Sequence, residues 1–306
     1  MSDALSWAKC VRPGTPDFLG GSPPCINFVD QLLRMMSAPQ RRLYRARDSI
    51  QGRVFKMADK LPAANSVLIP CYHAIADLSD DAILADYSIP EPEFVKQLES
   101  LVRRGFHFIS GEQFYLFLVG KAEVPSQSVL LTFDDCYVSL IEVVAPLLNS
   151  YGASAVAFAV TGLASNSNEW DQRIGSCTLP ILNQGGLRKL AERGFEIGSH
   201  TRTHPSLPRL GPERLREEVE GSAIDIAALG LPTPRFFAYP YGNESPPVRQ
   251  AVAAAGYSVG FALWAGHFRR GMDPLAVPRV EICRRDVGWR FAFKTRFPRL
   301  ASWITR

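Results

Sequence analysis

Four short polar segments, each closing an apolar run, constrain this chain more than any other feature of its sequence. Val67-Leu68-Ile69-Pro70-Cys71 leads into Tyr72-His73, and Leu130-Leu131 leads into Thr132-Phe133-Asp134-Asp135. Phe195-Glu196-Ile197 leads into Ser199-His200-Thr201-Arg202-Thr203-His204, and the run from Arg235 ends in Tyr239-Pro240-Tyr241-Gly242. Short, continuous apolar runs read as strands buried on both faces, the pattern of a parallel sheet covered by helices. Such sheets gather their chemistry at the carboxyl ends of the strands. Two carboxylates and three of the five histidines sit at those ends.

The stretches between the runs supply the helices. Glu93 to Arg104 carries Phe94, Leu98, Leu101 and Val102 on one stripe and stops at Gly105. Ser110 is placed to cap a helix over Glu112 to Val119. Further helices are expected over Leu140 to Tyr151, Leu187 to Arg193, Pro212 to Leu229 and Pro246 to Ala255, each followed by glycine. With strands at Ser154 to Val160, Tyr257 to Leu263 and Ala276 to Cys283, the count reaches seven. No Gly-x-Gly-x-x-Gly follows any strand, and the polar residues come from several different strand ends. That favours a barrel, or a nearly closed one, over an open dinucleotide-binding sheet.

Three divisions follow. Residues 1–65 form an N-terminal extension, a Pro/Gly/Ser-rich loop and then a helix from Phe28 to Met57. Residues 66–285 form the barrel, and residues 286–306 a basic tail. The net charge of +4 is too small to suggest nucleic acid. The tail mixes Arg290, Lys294, Arg296 and Arg299 with Phe291, Phe293, Phe297 and Trp303. It is expected to be a helix packed on the barrel, with peripheral contact to an anionic membrane as the other reading. The six cysteines form no C-x-x-C pair, and Cys71 and Cys283 lie in apolar runs as core thiols. With no leader-like start and no apolar stretch of membrane-spanning length, the reading is a cytoplasmic protein.

His200 and His204 are spaced to reach one ion from a tight turn. Asp134 and Asp135 at the end of a buried strand repel one another, and a metal or a catalytic proton would offset that. Two histidines and one carboxylate leave coordination positions open, the pattern of a catalytic divalent-metal site. His73 is a candidate general acid or substrate-binding group, and amides of the Tyr241 turn could donate to an oxyanion.

Together these segments resemble the polysaccharide deacetylases with the NodB homology domain, carbohydrate esterase family 4, over roughly residues 66–285. The resemblance implies a distorted (β/α)7 barrel. It implies Asp134 as base, Asp135, His200 and His204 as metal ligands, with zinc the first choice of ion, and the Tyr241 backbone amide as oxyanion donor. Val67 to His73 resembles the opening strand of the branch acting on poly-N-acetylglucosamine-like polymers, where a histidine lies beside the active site. The implied reaction removes N-acetyl groups from an N-acetylated glycan or glycolipid. A hydrolase of small non-glycan amides and a non-catalytic glycan-binding module are the alternatives. The pattern departs from the family in three places. Cys136 stands where a glycine usually follows the aspartates, Ala238 stands where many members carry arginine, and the late Asp-x-x-Asp-Trp and Leu-x-His motifs are not visible. Arg279 is then expected to reach the base, and His73 or His267 to act as the acid. Trp170, Tyr239 and Trp264 are the aromatics expected to stack on sugar.

Overall fold

A computed structural model describes residues 66–163 and 166–304. The helix expected over residues 28–57, and the rest of the N-terminal extension, lie outside them. The described elements run β1 (Ser66–Leu68), β2 (Pro70–Tyr72), α1 (Glu91–Arg103), β3 (His107–Phe108), α2 (Gly111–Leu118), β4 (Ser128–Val129) and β5 (Leu131–Phe133). A π-helical turn (Leu140–Val144) then runs into α3 (Ala145–Ser150), followed by β6 (Ala155–Ala159), α4 (Glu169–Gln172), α5 (Gln184–Glu192) and β7 (Glu196–Ser199). The remainder is α6 (Pro212–Ala227), β8 (Phe236–Ala238), α7 (Pro246–Ala254), β9 (Val259–Phe261), β10 (Phe268–Arg269), β11 (Val280–Glu281), α8 (Trp289–Arg296) and α9 (Pro298–Ile304). None of the described helices is long and apolar enough to cross a membrane.

Seven strands form one sheet in the order β11-β2-β5-β6-β7-β8-β9, and every pair in it is parallel. The sheet curls, and its two edges meet at one stretch of chain. Val277 exchanges backbone hydrogen bonds with β9, donating to Gly260 O and accepting from Ala262 N. Three residues later Val280 donates to Ile69 O and pairs with β2. The expected long strand from Ala276 to Cys283 is therefore a seam that serves both edges in turn. All the strands point the same way, so their carboxyl ends share one face.

Two of the expected strands are each split in two. Ser66–Leu68 and Ser128–Val129 belong to a separate four-stranded sheet, β10-β1-β4-β3, at the base of the barrel. Pro70 has no N–H to continue β1, and the chain changes partners there. Leu68 O takes the Leu130 N–H, after which β2 and β5 pair inside the larger sheet.

Side chains alternate across the sheet, as a period of two requires. On β6, Val156 and Phe158 join one core with Ile69, Phe114, Phe236 and Phe261. Ala155, Ala157 and Ala159 join the other with Phe133, Leu148, Leu187 and Leu190 beneath the outer helices. Gly198 of β7 is tucked so closely between neighbours that a Cβ there would meet the Phe158 ring at 2.6 Å. Ser110 caps α2 in a reciprocal capping box with Gln113. The tail packs on the barrel: Phe291 and Ala292 are buried, and Arg104 donates to Thr295 Oγ1 at 2.8 Å.

Candidate active site

The register of β2 against β5 places the first group. Cys71 lies opposite Thr132 and Tyr72 opposite Phe133, so His73 and Asp134 leave their strands side by side. The Asp134 N–H donates to Tyr72 O at 2.9 Å. Asp135 and Cys136 then adopt left-handed conformations (φ 69° and 52°). Glycine takes this conformation freely and a side chain does not, which gives the family's usual glycine a physical reason and makes Cys136 a strained substitute. Thr201, His204 and Tyr241 are also left-handed. Strain is thus concentrated at the strand ends.

Arg279, on the seam, is fully buried and holds Asp134 with both ends of its guanidinium. Nη1 reaches Oδ1 at 2.6 Å and Nη2 reaches Oδ2 at 2.8 Å. The guanidinium also lies over the rings of Phe158 and Phe261. Burial alone would raise the Asp134 carboxyl, but the Arg279 charge, with His200 and the paired hydrogen bonds, outweighs it and holds the group below the ordinary carboxylate range.

Asp135, His200 and His204 converge. The Nε2 atoms of both histidines lie 3.7 Å from Asp135 Oδ1. A tetrahedral ion with ligands at about 2.0–2.2 Å holds them roughly 3.3–3.6 Å apart, so the three atoms are nearly at coordination spacing. His200 Nδ1 donates to Ala238 O at 2.8 Å, which leaves Nε2 its lone pair. Asp135 Oδ1 and His204 Nδ1 are buried without a hydrogen-bond partner. Burial lowers His200 to about 4 and holds His204 well below the usual histidine range. Both imidazoles are therefore neutral, as metal ligands must be. Burial, then the charges of Asp134 and Asp171, push Asp135 upward. A divalent cation among these donors would neutralise that excess negative charge, so the donor set fits a metal.

The turn that carries the histidine pair is tied down from α6. Glu218, fully buried, accepts from the N–H groups of Arg202 (2.9 Å) and Thr203 (2.8 Å) and from Thr203 Oγ1 (2.6 Å). Its remaining charge meets Arg214 at 2.7 Å. On the same helix, Asp225 accepts from Arg202 Nε, and Ser222 accepts from Ser199 Oγ. Within the turn, Thr201 Oγ1 accepts the His204 N–H.

Trp170 and Tyr241 flank the His204 ring, each with its ring centre 4.7 Å away. Trp170 is thus a buried wall against the His204 ring, whereas Tyr241 and Trp264 are exposed. Tyr239 does not face the cleft: it is buried, and its hydroxyl donates to Leu275 O at 2.8 Å. His267 is also elsewhere. It precedes β10, which runs antiparallel against the start of β1, and its Nε2 donates to Thr295 O at 2.7 Å. It lies at the base of the barrel and cannot serve as the acid. His73 is at the site, near Tyr87, with its Nδ1 buried and unpartnered.

Two residues of the site escaped the sequence reading. Glu218 resembles any charge on a solvated helix. Asp171, buried behind Trp170, accepts from the Tyr137 hydroxyl at 3.4 Å. The acidic residues beside Trp170, an aromatic already singled out, were the available signal for Asp171.

Residues 121–260 match the sequence model of the polysaccharide deacetylases. The chain is 23% identical over 194 residues to YxkH of Bacillus subtilis, a protein named for the same family; that match covers 63% of this chain and 65% of YxkH, just under two thirds of its length. It is 22% identical over 237 residues to the poly-beta-1,6-N-acetyl-D-glucosamine N-deacetylase of Staphylococcus aureus (strain MRSA252), covering 71% of this chain and 79% of that protein. Among solved structures, the fold is similar to the Streptococcus pyogenes deacetylase PplD (TM-score 0.63, 24% identity, 74% of this chain and 96% of that one). It is similar also to IcaB from Ammonifex degensii (TM-score 0.61, 24% identity, 79% and 98%).

Proposed function

We propose that the chain is a metal-dependent hydrolase removing N-acetyl groups from an N-acetylated sugar in a polysaccharide, oligosaccharide or glycolipid, a reading supported by the match of residues 121–260 to the polysaccharide deacetylase model. The observation that carries this reading is the pairing of two unlike carboxylates. Asp134 is neutralised by a buried arginine, and its neighbour Asp135 faces two neutral imidazoles with an unpartnered oxygen. One is equipped to handle a proton and the other to hold an ion.

Asp135, His200 and His204 would hold a divalent ion, zinc foremost, which when bound supplies Lewis acidity and a water made acidic near neutral pH. Asp134 takes the proton from the attacking water. Arg279 keeps that carboxylate ionised and fixes its orientation. The Tyr241 backbone amide donates to the oxygen that becomes negative as the acetyl carbon turns tetrahedral. His73, on the neighbouring strand end, passes a proton to the departing amine nitrogen. Acetate and a free amino sugar result. Tyr241 and Trp264 are exposed just beyond the ends of β8 and β9, and aromatic faces suit a sugar ring.

The test is acetate release from N-acetylglucosamine oligomers by the zinc-loaded protein, with His200→Ala as the metal-site control. Asp134→Asn is expected to keep stoichiometric metal and to lower kcat by about 10²–10⁴, the usual share of a general base. Near-normal turnover in that variant would remove Asp134 from the base role.

A further inference from the structure

At the end of β2 lies a second cluster of donor atoms, one of which, the Cys71 sulfur, the reaction above leaves unused. Alternation along the strand sends Tyr72 into the helix-covered core and turns Cys71 and His73 to the other side. The β2–β5 register brings Asp134 to the same place. The Cys71 sulfur, a ring nitrogen of His73 and a carboxylate oxygen of Asp134 all lie within 4.8 Å of one another. The Cys71 thiol donates to Asp134 Oδ2 at 3.4 Å, and His73 Nδ1 is buried with no partner. One sulfur, one nitrogen and one oxygen form a donor set for a soft or borderline cation, whereas the neighbouring Asp135, His200 and His204 offer no sulfur.

We propose that Cys71, His73 and Asp134 form a second cation site that takes a thiophilic divalent ion such as cadmium, and that filling it shuts the enzyme off. On binding, the Cys71 S–H bond breaks, its proton leaves to solvent, and a sulfur–metal bond forms; no electrons are transferred. The ion takes Asp134 and His73 at once, the two residues that move protons in the proposed reaction. Arg279 weakens the site, because its charge opposes a further cation beside Asp134. The second site therefore fills after the first and at higher ion concentration. Only the inhibition rests on the proposed deacetylation; the binding does not.

The experiment adds cadmium to the zinc-loaded full chain and follows the ultraviolet sulfur-to-cadmium charge-transfer band alongside acetate release. Exchange of cadmium into the sulfur-free first site leaves this band untouched. Wild type is expected to gain the band with one cadmium beyond those bound by Cys71→Ser, and to lose activity in step; a chelator restores both. Cys71→Ser and Cys71→Ala should need roughly tenfold more cadmium for equal inhibition. Both substitutions are small, and the melting temperature of each shows that the chain is folded. Equal bands in wild type and both variants would overturn the site, since the sulfur would then belong to another cysteine. A band lost in both variants, in a protein with no activity on any glycan, would keep the site and sink the deacetylase reading.

Discussion

Removing the Glu218 carboxylate tests whether the histidine turn is held from α6. Glu218→Ala deletes two backbone N–H bonds, one hydroxyl bond and the contact with Arg214. Hydrogen bonds to a charged group are worth about 1.5–3 kcal/mol each. Arg202 and Thr203 are half-buried, so water replaces part of the loss. A net cost of about 3–5 kcal/mol follows, or a fall in Tm of roughly 6–20 °C for a folded region of this size. The turn is also strained, with Thr201 and His204 left-handed, so release should scatter the two imidazoles. Losing a supporting partner of a metal ligand typically weakens the metal about 10–100-fold. Glu218→Gln separates shape from charge. Its amide oxygen can accept both backbone N–H groups and its amide N–H can donate to Thr203 Oγ1, while the exposed Arg214 loses one carboxylate partner and keeps Glu217. The Gln variant should therefore hold zinc within about fivefold of wild type, because an ion pair with an exposed arginine is worth at most about 1 kcal/mol. Zinc affinity is read by competition with a chromophoric chelator, and Tm by calorimetry on the same samples. An alanine variant that melts early yet binds zinc as tightly as wild type would refute the reasoning, because Glu218 would then support the fold and not the site.

Two further outcomes are expected. Arg279→Met strands the Asp134 charge in the core and should cost about 3–5 kcal/mol; Arg279→Met with Asp134→Asn should recover part of it, and a double variant no more stable than the single would argue against the pairing. Glu196 gives a pH signature: burial lifts its carboxyl to about 7, Arg235 opposes the rise and Glu112 adds to it. The folded state thus keeps a proton that the unfolded chain releases, so stability falls as pH rises through that window, by up to about 2 kcal/mol. Denaturant melts at pH 5 and pH 8 should show that fall in wild type but not in Glu196→Gln; equal slopes would reject it.

The legible part of this molecule was whatever a single strand end displays. His73, the aspartate pair and the histidine pair are polar residues closing apolar runs, and a parallel sheet leaves them only one face to share. The strand splits at Ile69 and Leu130 were not legible, because an apolar run does not record a change of partner. Arg279 stood out as a candidate for reaching the base, yet its two-pronged grip depends on where the sheet's edges meet. Glu218 was hidden for a simpler reason. In Glu217-Glu218-Val219-Glu220 nothing local says which carboxylate turns inward; that is decided by how α6 lies against β7. Tyr239 misled in the opposite direction, since an aromatic at a strand end can face the core as readily as the cleft.

The seam has a bearing on when this protein can first act. Asp134 and Arg279 are 145 residues apart, and the stretch bearing Arg279 is also the one that joins β9 to β2. A ribosome-bound chain that has released both aspartates and both histidines still has an open sheet and an unguarded Asp134. Completion of the sheet and pairing of the proposed base are then a single event, and a chain that stops short of Arg279 leaves the Asp134 carboxylate without its guanidinium.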